Sequence, residues 1–115
     1  MANDFKNAIA QNVSNAAGGT TIYTTPATKT SIMLELDIAN TTNNVVEASV
    51  ELLDSSVSAS AWRYLVKNAP VPSGGSLMVI AGQKIVLEAG DKVRVTSSAA
   101  NVIDAVAAIL EDVNS

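Results

Sequence analysis

Any chemistry in this chain falls to carboxylates, because its 115 residues include no histidine and no cysteine. That absence excludes a Ser/His/Asp triad, a thiolate nucleophile and a Cys/His zinc site. Glu35, Asp37, Glu47 and Glu51 each alternate with apolar residues. Such spacing places them on the solvated side of strands, where solubility accounts for a carboxylate without any acid or base role. Asp54, Asp91 and Asp104 lie near turns, and none belongs to the alternating Asp/Asn spacing of a calcium loop. Gly74-Gly75 and Gly82 lack the helix start and lysine of a phosphate cradle and read as turns. The residues therefore predict no catalysis, no cofactor and no metal.

The candidates that remain are recognition residues. Trp62 follows a serine-rich loop and suits three roles: a core plug, an anchor in a subunit interface, or a platform for stacking a sugar. Tyr64, two residues on, is expected to share its face. Arg63, Leu65 and Lys67 would then make the opposite face half polar, as befits a surface that another chain later covers. Trp62, Arg63, Tyr64, Leu65 and Lys67 are the predicted interface residues.

Charge and composition narrow the partners. A net charge of −4, with the seven basic residues scattered, argues against a groove that neutralises phosphates, so no nucleic acid is expected. The opening Met-Ala-Asn-Asp-Phe-Lys is too polar for a secretory leader, and no apolar run approaches the ~20 residues of a membrane span, so no membrane partner is expected.

The elements that position these residues read almost throughout as strands. Hydrophobic residues make up 48% of the chain but aromatics only 3%, which leaves Val, Ile, Leu and Ala to fill a core. In 32–38, Ile32, Leu34, Leu36 and Ile38 should share one face, with Glu35 and Asp37 on the other. After the polar turn 40–44, Val46, Ala48, Val50 and Leu52 should point inward, and the two segments read as a β-hairpin. The stretch 54–61 is a hydroxyl-rich loop, after which Trp62, Tyr64 and Val66 restart the alternation. Pro70 and Pro72 before Ser73-Gly74-Gly75 end that strand. Short strands follow at 77–80, 85–87 and 92–96, and another precedes them at 20–24.

Both termini are ambiguous by period. Val102, Ile103, Val106, Ile109, Leu110 and Val113 fit a helical stripe behind Asn101, yet Val102, Asp104, Val106, Ala108 and Leu110 also alternate. A sandwich needs a closing strand to cover its edge, which favours strand there. Phe5, Ile9 and Val13 pose the same question. The expectation is an all-β single domain over 1–115: an antiparallel β-sandwich or small barrel, jelly-roll or immunoglobulin-like, of about eight or nine short strands.

A family resemblance adds to this reading. Phe5-Lys6-Asn7-Ala8, Thr21-Ile22-Tyr23-Thr24 with Pro26, Ile38-Ala39-Asn40-Thr41-Thr42, Tyr64-Leu65-Val66-Lys67 with Ala69-Pro70-Val71-Pro72, and Leu87-Glu88-Ala89-Gly90-Asp91 with Val95-Thr96-Ser97-Ser98 carry it by their order and spacing. Together they resemble small structural proteins of tailed bacteriophages, cyanophages especially. The resemblance implies a virion component without catalytic residues: a capsid decoration (cement) protein, or alternatively a neck or tail component. Its partners would be the major capsid protein or other virion proteins. Open sheet edges further predict a homo-oligomer, a trimer fitting best. A carbohydrate- or surface-binding module is the competing reading from another class, and rests on Trp62 and Tyr64.

Overall fold

The alternation of apolar and polar residues does produce strands, and the computed structural model describes residues 4–55, 62–80 and 84–111. Nine strands run β1 (Asp4–Ala10), β2 (Thr20–Thr24), β3 (Ser31–Asn40), β4 (Val46–Leu53), β5 (Trp62–Val71), β6 (Ser76–Ile80), β7 (Ile85–Leu87), β8 (Lys92–Ser97) and β9 (Ile103–Glu111). No helix occurs among the described residues. Both ambiguous termini are strands, and they pair with each other from Asp4↔Glu111 to Ala10↔Ala105. The serine-rich loop beyond Ser55 and the turn at Gly82 lie outside the described residues.

Two antiparallel sheets form the sandwich. A five-stranded sheet has the order β1-β9-β3-β6, with β7 also on β3, and a four-stranded sheet has the order β2-β8-β4-β5. The pairings nest: β4 with β5 innermost, then β3 with β6, β2 with β8, and β1 with β9 outermost. That is the order of one long hairpin rolled up, the jelly-roll arrangement, which removes the immunoglobulin-like alternative. Met33, Leu36, Ile38, Val50, Val93, Val95, Ile103 and Ile109 are buried in the core between the sheets.

The expected hairpin between 32–38 and 46–52 is corrected by this topology. β3 and β4 belong to different sheets, so the segment 41–45 is a crossover. Asn40 explains why a polar turn can serve there. Its buried amide nitrogen donates to the carbonyls of Asn44 (2.6 Å), Val71 (3.1 Å) and Pro72 (3.1 Å), and its Oδ1 accepts from Thr42 N (2.9 Å) and Oγ1 (2.8 Å). One side chain thus satisfies the crossover backbone and ties it to the end of β5.

Bulges account for the other corrections. Against β9, Met33 pairs Ile109 while Glu35 pairs Ala108, so Leu34 is an extra residue in β3. An extra residue reverses the alternation. Leu36 and Ile38 point inward as expected, but before the bulge Ser31 and Met33 are buried, whereas Ile32 and Leu34 are only half-buried. In β5 the register against β4 shifts at Leu65 and again near Asn68, whose φ of 51° is a left-handed value that asparagine tolerates. Val66 therefore lies opposite buried Val50 and packs on the core, away from Trp62 and Tyr64. β5 also continues through Pro70 to Val71; as an edge strand it accommodates a residue with no amide hydrogen. In β9 the buried phase is Ile103, Ala105, Ala107, Ile109 and Glu111, so Asp104, Val106, Ala108 and Leu110 face outward.

Candidate functional site

The outward face of the five-stranded sheet is apolar where a sandwich surface is ordinarily polar. Cross-strand partners share a face, which lets the register define rows across it. One row runs Phe5, Leu110, Ile32, Val86 over β1, β9, β3 and β7. A second runs Ile9, Val106, Asp37, Met78 over β1, β9, β3 and β6. Between them lie Asn7, Ala108 and Glu35. Phe5 (76%), Ile9 (69%), Met78 (60%), Val86 (60%) and Val106 (44%) are all largely exposed on this one face. A depression of about 160 Å³ beside β1 is lined by Phe5, Lys6, Asn7, Ala108 and Ile109.

The ionised groups of this face are acidic. Glu35 is exposed, and Asp104 accepts the Asn12 amide at 3.0 Å. Asp37 sits between Val106 and Met78 with its Oδ1 buried and unpartnered among the described residues. None of the residues in these rows is basic; exposed Lys84 stands two residues before Val86, ahead of β7.

The sequence-predicted interface residues lie on the other sheet, along edge strand β5. Trp62 is half-buried, and the Arg94 guanidinium stacks over its ring, 3.8 Å from the centroid. Arg94 is held flat by a two-point pair with Glu51, Nε to Oε1 at 3.0 Å and Nη2 to Oε2 at 3.1 Å. Leu53, opposite Trp62 in the register, is buried but stands apart from the main core. Trp62 is thus a cover on the outer face of the sheet and not a core plug. Tyr64 is 52% exposed with Lys67 Nζ 5.3 Å from its ring centroid. Lys67 therefore shares the face of Tyr64 instead of opposing it, because the bulge at Leu65 shifts the phase. Arg63 is exposed and Leu65 is half-buried against the core. Trp62, Tyr64 and Lys67 form an aromatic and cationic strip on the outer face, each ring already carrying a cation, while Arg63 pairs Leu52 on the opposite face of the strand.

Two polar clusters complete the inventory. Carboxylate oxygens of Asp54, Glu88 and Asp91 lie within 4.8 Å of one another. Buried Asp91 is engaged by backbone and hydroxyl donors: Oδ1 accepts from Ser55 N and Oγ, both at 3.0 Å, and Oδ2 from Glu88 N at 2.9 Å. It pins the segment after β4 to the turn before β8.

The second cluster joins the sheets. Tyr23 of β2 donates its hydroxyl to Glu111 Oε2 of β9 at 2.5 Å and lies 2.9 Å from Ser31 Oγ of β3. Lys6 Nζ of β1 is 3.1 Å from Glu111 Oε1, and Lys29 Nζ is 3.9 Å away. Burial, reinforced by the carboxylate, pushes the Tyr23 hydroxyl up to about 12. The Tyr23 hydrogen bond, with help from Lys6 and Lys29, holds Glu111 below the ordinary carboxylate range. The cluster ties β1, β2, β3 and β9 together, and of its members Lys6 also lines the depression beside β1.

Sequence reasoning missed the apolar face. Its signal was present in Phe5 and Ile9, read there as one side of a helix or strand, and in Val106, which fits both a helical stripe and a strand alternation. No family model matches the chain, and comparison with curated proteins and solved structures gives no match either.

Proposed function

We propose that this chain is a non-catalytic virion structural protein of a tailed bacteriophage, a capsid decoration protein that stabilises the shell through protein–protein contacts. The observation that carries the reading is the outward face of the five-stranded sheet, where Phe5, Ile9, Met78, Val86 and Val106 stay exposed on a domain that already has a complete core. Contiguous apolar surface on a soluble domain marks a place where another surface packs. The jelly-roll order supports it by analogy alone, since capsid and lectin domains both use that fold. In this reading the five-stranded sheet faces the major capsid protein, and edge strand β5, with Tyr64 and Lys67 on one face and Arg63 on the other, supports contacts between copies in a homotrimer.

A neck or tail position uses the same chemistry with fewer copies. The carbohydrate-binding alternative has weaker support, because Arg94 covers one side of Trp62 and Lys67 sits over Tyr64, leaving no open pair of stacking rings. Labelled antibody against the chain, viewed on intact virions, tests the proposal. Labelling over the whole shell is expected. Labelling at a single vertex moves the protein to the neck or tail, and unlabelled particles reject the virion role.

A further inference from the structure

We infer that the outward face of the five-stranded sheet docks a different protein whose contact surface is apolar and carries an arginine or lysine that reaches Asp37. The inference rests on the shell-binding reading and deepens it by stating the partner's chemistry. Three properties of the face argue for this occupant.

The first is charge. Glu35, Asp37 and Asp104 all project from this face, and its rows hold no basic residue. Two copies packed face to face would bring like carboxylates together in a surface being dried, which Coulomb repulsion opposes. Anionic lipid is disfavoured for the same reason. Head-to-tail stacking of the two outer faces of one sandwich gives an open-ended fibre instead of a closed assembly. A non-identical partner with cationic groups escapes all three difficulties.

The second is the state of Asp37. It lies in the middle strand of the sheet, flanked by Val106 and Met78, and among the described residues no donor meets its shielded Oδ1. Half of the carboxylate is therefore cut off from water, and a cation set beside its other, unshielded oxygen would offset the poorly hydrated charge. The same oxygen penalises an occupant that is purely apolar, so Asp37 confers selectivity.

The third is size. At ~3.3 Å per residue and ~4.8 Å between strands, the rows from Phe5 to Asp104 and their side-chain margins cover roughly 500–600 Å², with Asn7, Glu35, Asp37 and Asp104 included. That is short of the ~800 Å² per partner of a standard stable interface. A single contact would therefore be weak, as suits a protein that gains its hold from several sites on an ordered array.

The test uses the full chain and two soluble helical peptides, each with a leucine face flanked by arginines in one and by glutamates in the other. Methyl NMR reads the binding. The arginine peptide should shift Ile9, Met78, Val86 and Val106, and the glutamate peptide should bind at least tenfold more weakly. Asp37→Asn should weaken the arginine peptide at least fivefold while leaving the melting temperature unchanged or raised. Ile9→Lys, at an exposed position, should abolish binding in a folded protein. Equal affinity for the two peptides, or shifts centred on Trp62–Lys67, overturns the inference. So do shifts of the same methyls when the protein alone is concentrated, or when phosphatidylserine vesicles are added. Specific arginine-peptide binding by a protein absent from virions would uphold this face and reject the shell location, so the two readings fail separately.

Discussion

Replacing Tyr23 by Phe removes one oxygen and no packing volume, and it strikes the contact that joins the two sheets. The hydroxyl donates to Glu111 at 2.5 Å, and Glu111 is 2% exposed, so water cannot easily replace the lost donor. Hydrogen bonds to charged groups are worth about 1.5–3 kcal/mol, which sets a loss of ~2 kcal/mol at pH 7. The rise of Tyr23 from 10.0 to about 12 comes first from burial and only then from Glu111, so it governs the alkaline limb and not the worth of the hydrogen bond at pH 7. With ~2.1 cal/mol/K of unfolding entropy per residue over 115 residues, the melting temperature should fall by about 8 °C. The pH profile gives an independent readout. Between pH 10 and about 12 the folded protein keeps a proton that the unfolded chain has lost, so wild-type stability should fall through that window. Tyr23→Phe should lose this falling limb. Glu111 acts at the other end: its lowered pKa stabilises the fold above the ordinary carboxylate value of 4.5, and the contribution disappears as pH falls through the folded value. Thermal and urea unfolding of both proteins from pH 3 to 12 measures all of this. A loss under ~0.5 kcal/mol at pH 7, the level of an ordinary surface substitution, with an unchanged alkaline limb would refute the bridge.

Other predictions follow from single features. Trp62→Ala should cost ~1–2 kcal/mol, below the ~3–5 of a core aromatic, because the ring covers Leu53 and Arg94 on the outer face; a larger loss by urea unfolding places it in the core. Gly19→Ala should destabilise by more than ~2 kcal/mol, since φ is +54° and the added Cβ would stand 2.3 Å from the Val95 carbonyl oxygen; a neutral result in the same assay contradicts the β2–β8 packing. Millimolar calcium should leave the melting temperature unchanged, because both Asp91 oxygens are already committed to Ser55 and Glu88; a rise of several degrees identifies Asp54, Glu88 and Asp91 as ligands.

How far the sequence reaches is visible in β3 and β9. Leu36 and Ile38 declare the inward face of β3 by alternation, but the extra Leu34 leaves no compositional mark, so the burial of Met33 in place of Ile32 was not legible. β9 is apolar on both sides, with Ala105, Ala107 and Ile109 inward and Val106, Ala108 and Leu110 outward. Period alone cannot then tell the core face from the outward one. The hairpin expected after Ile38 failed because a five-residue polar link serves a turn and a crossover equally, and the difference lies in the long-range pairing of β3 and β4 into separate sheets and in Asn40's contacts with Val71 and Pro72. Tyr23 and Glu111 are 88 positions apart, and no local signal joins them. The exposed aromatic and apolar residues divided likewise. Trp62 and Tyr64 stand out by type, whereas Phe5, Met78 and Val86 become a surface only once the register aligns them.

The central claim is that the chain is a repeated structural part of a virion shell, and copy number tests it most directly. Quantitative mass spectrometry of purified virions, normalised to the major capsid protein, reads the ratio. A protein seated at equivalent sites over an icosahedral shell should appear once per one to a few capsid subunits, in hundreds of copies per particle. A ratio below roughly one in twenty, the level of a single ring around one axis, contradicts the decoration role, and absence from the particles contradicts the virion reading altogether.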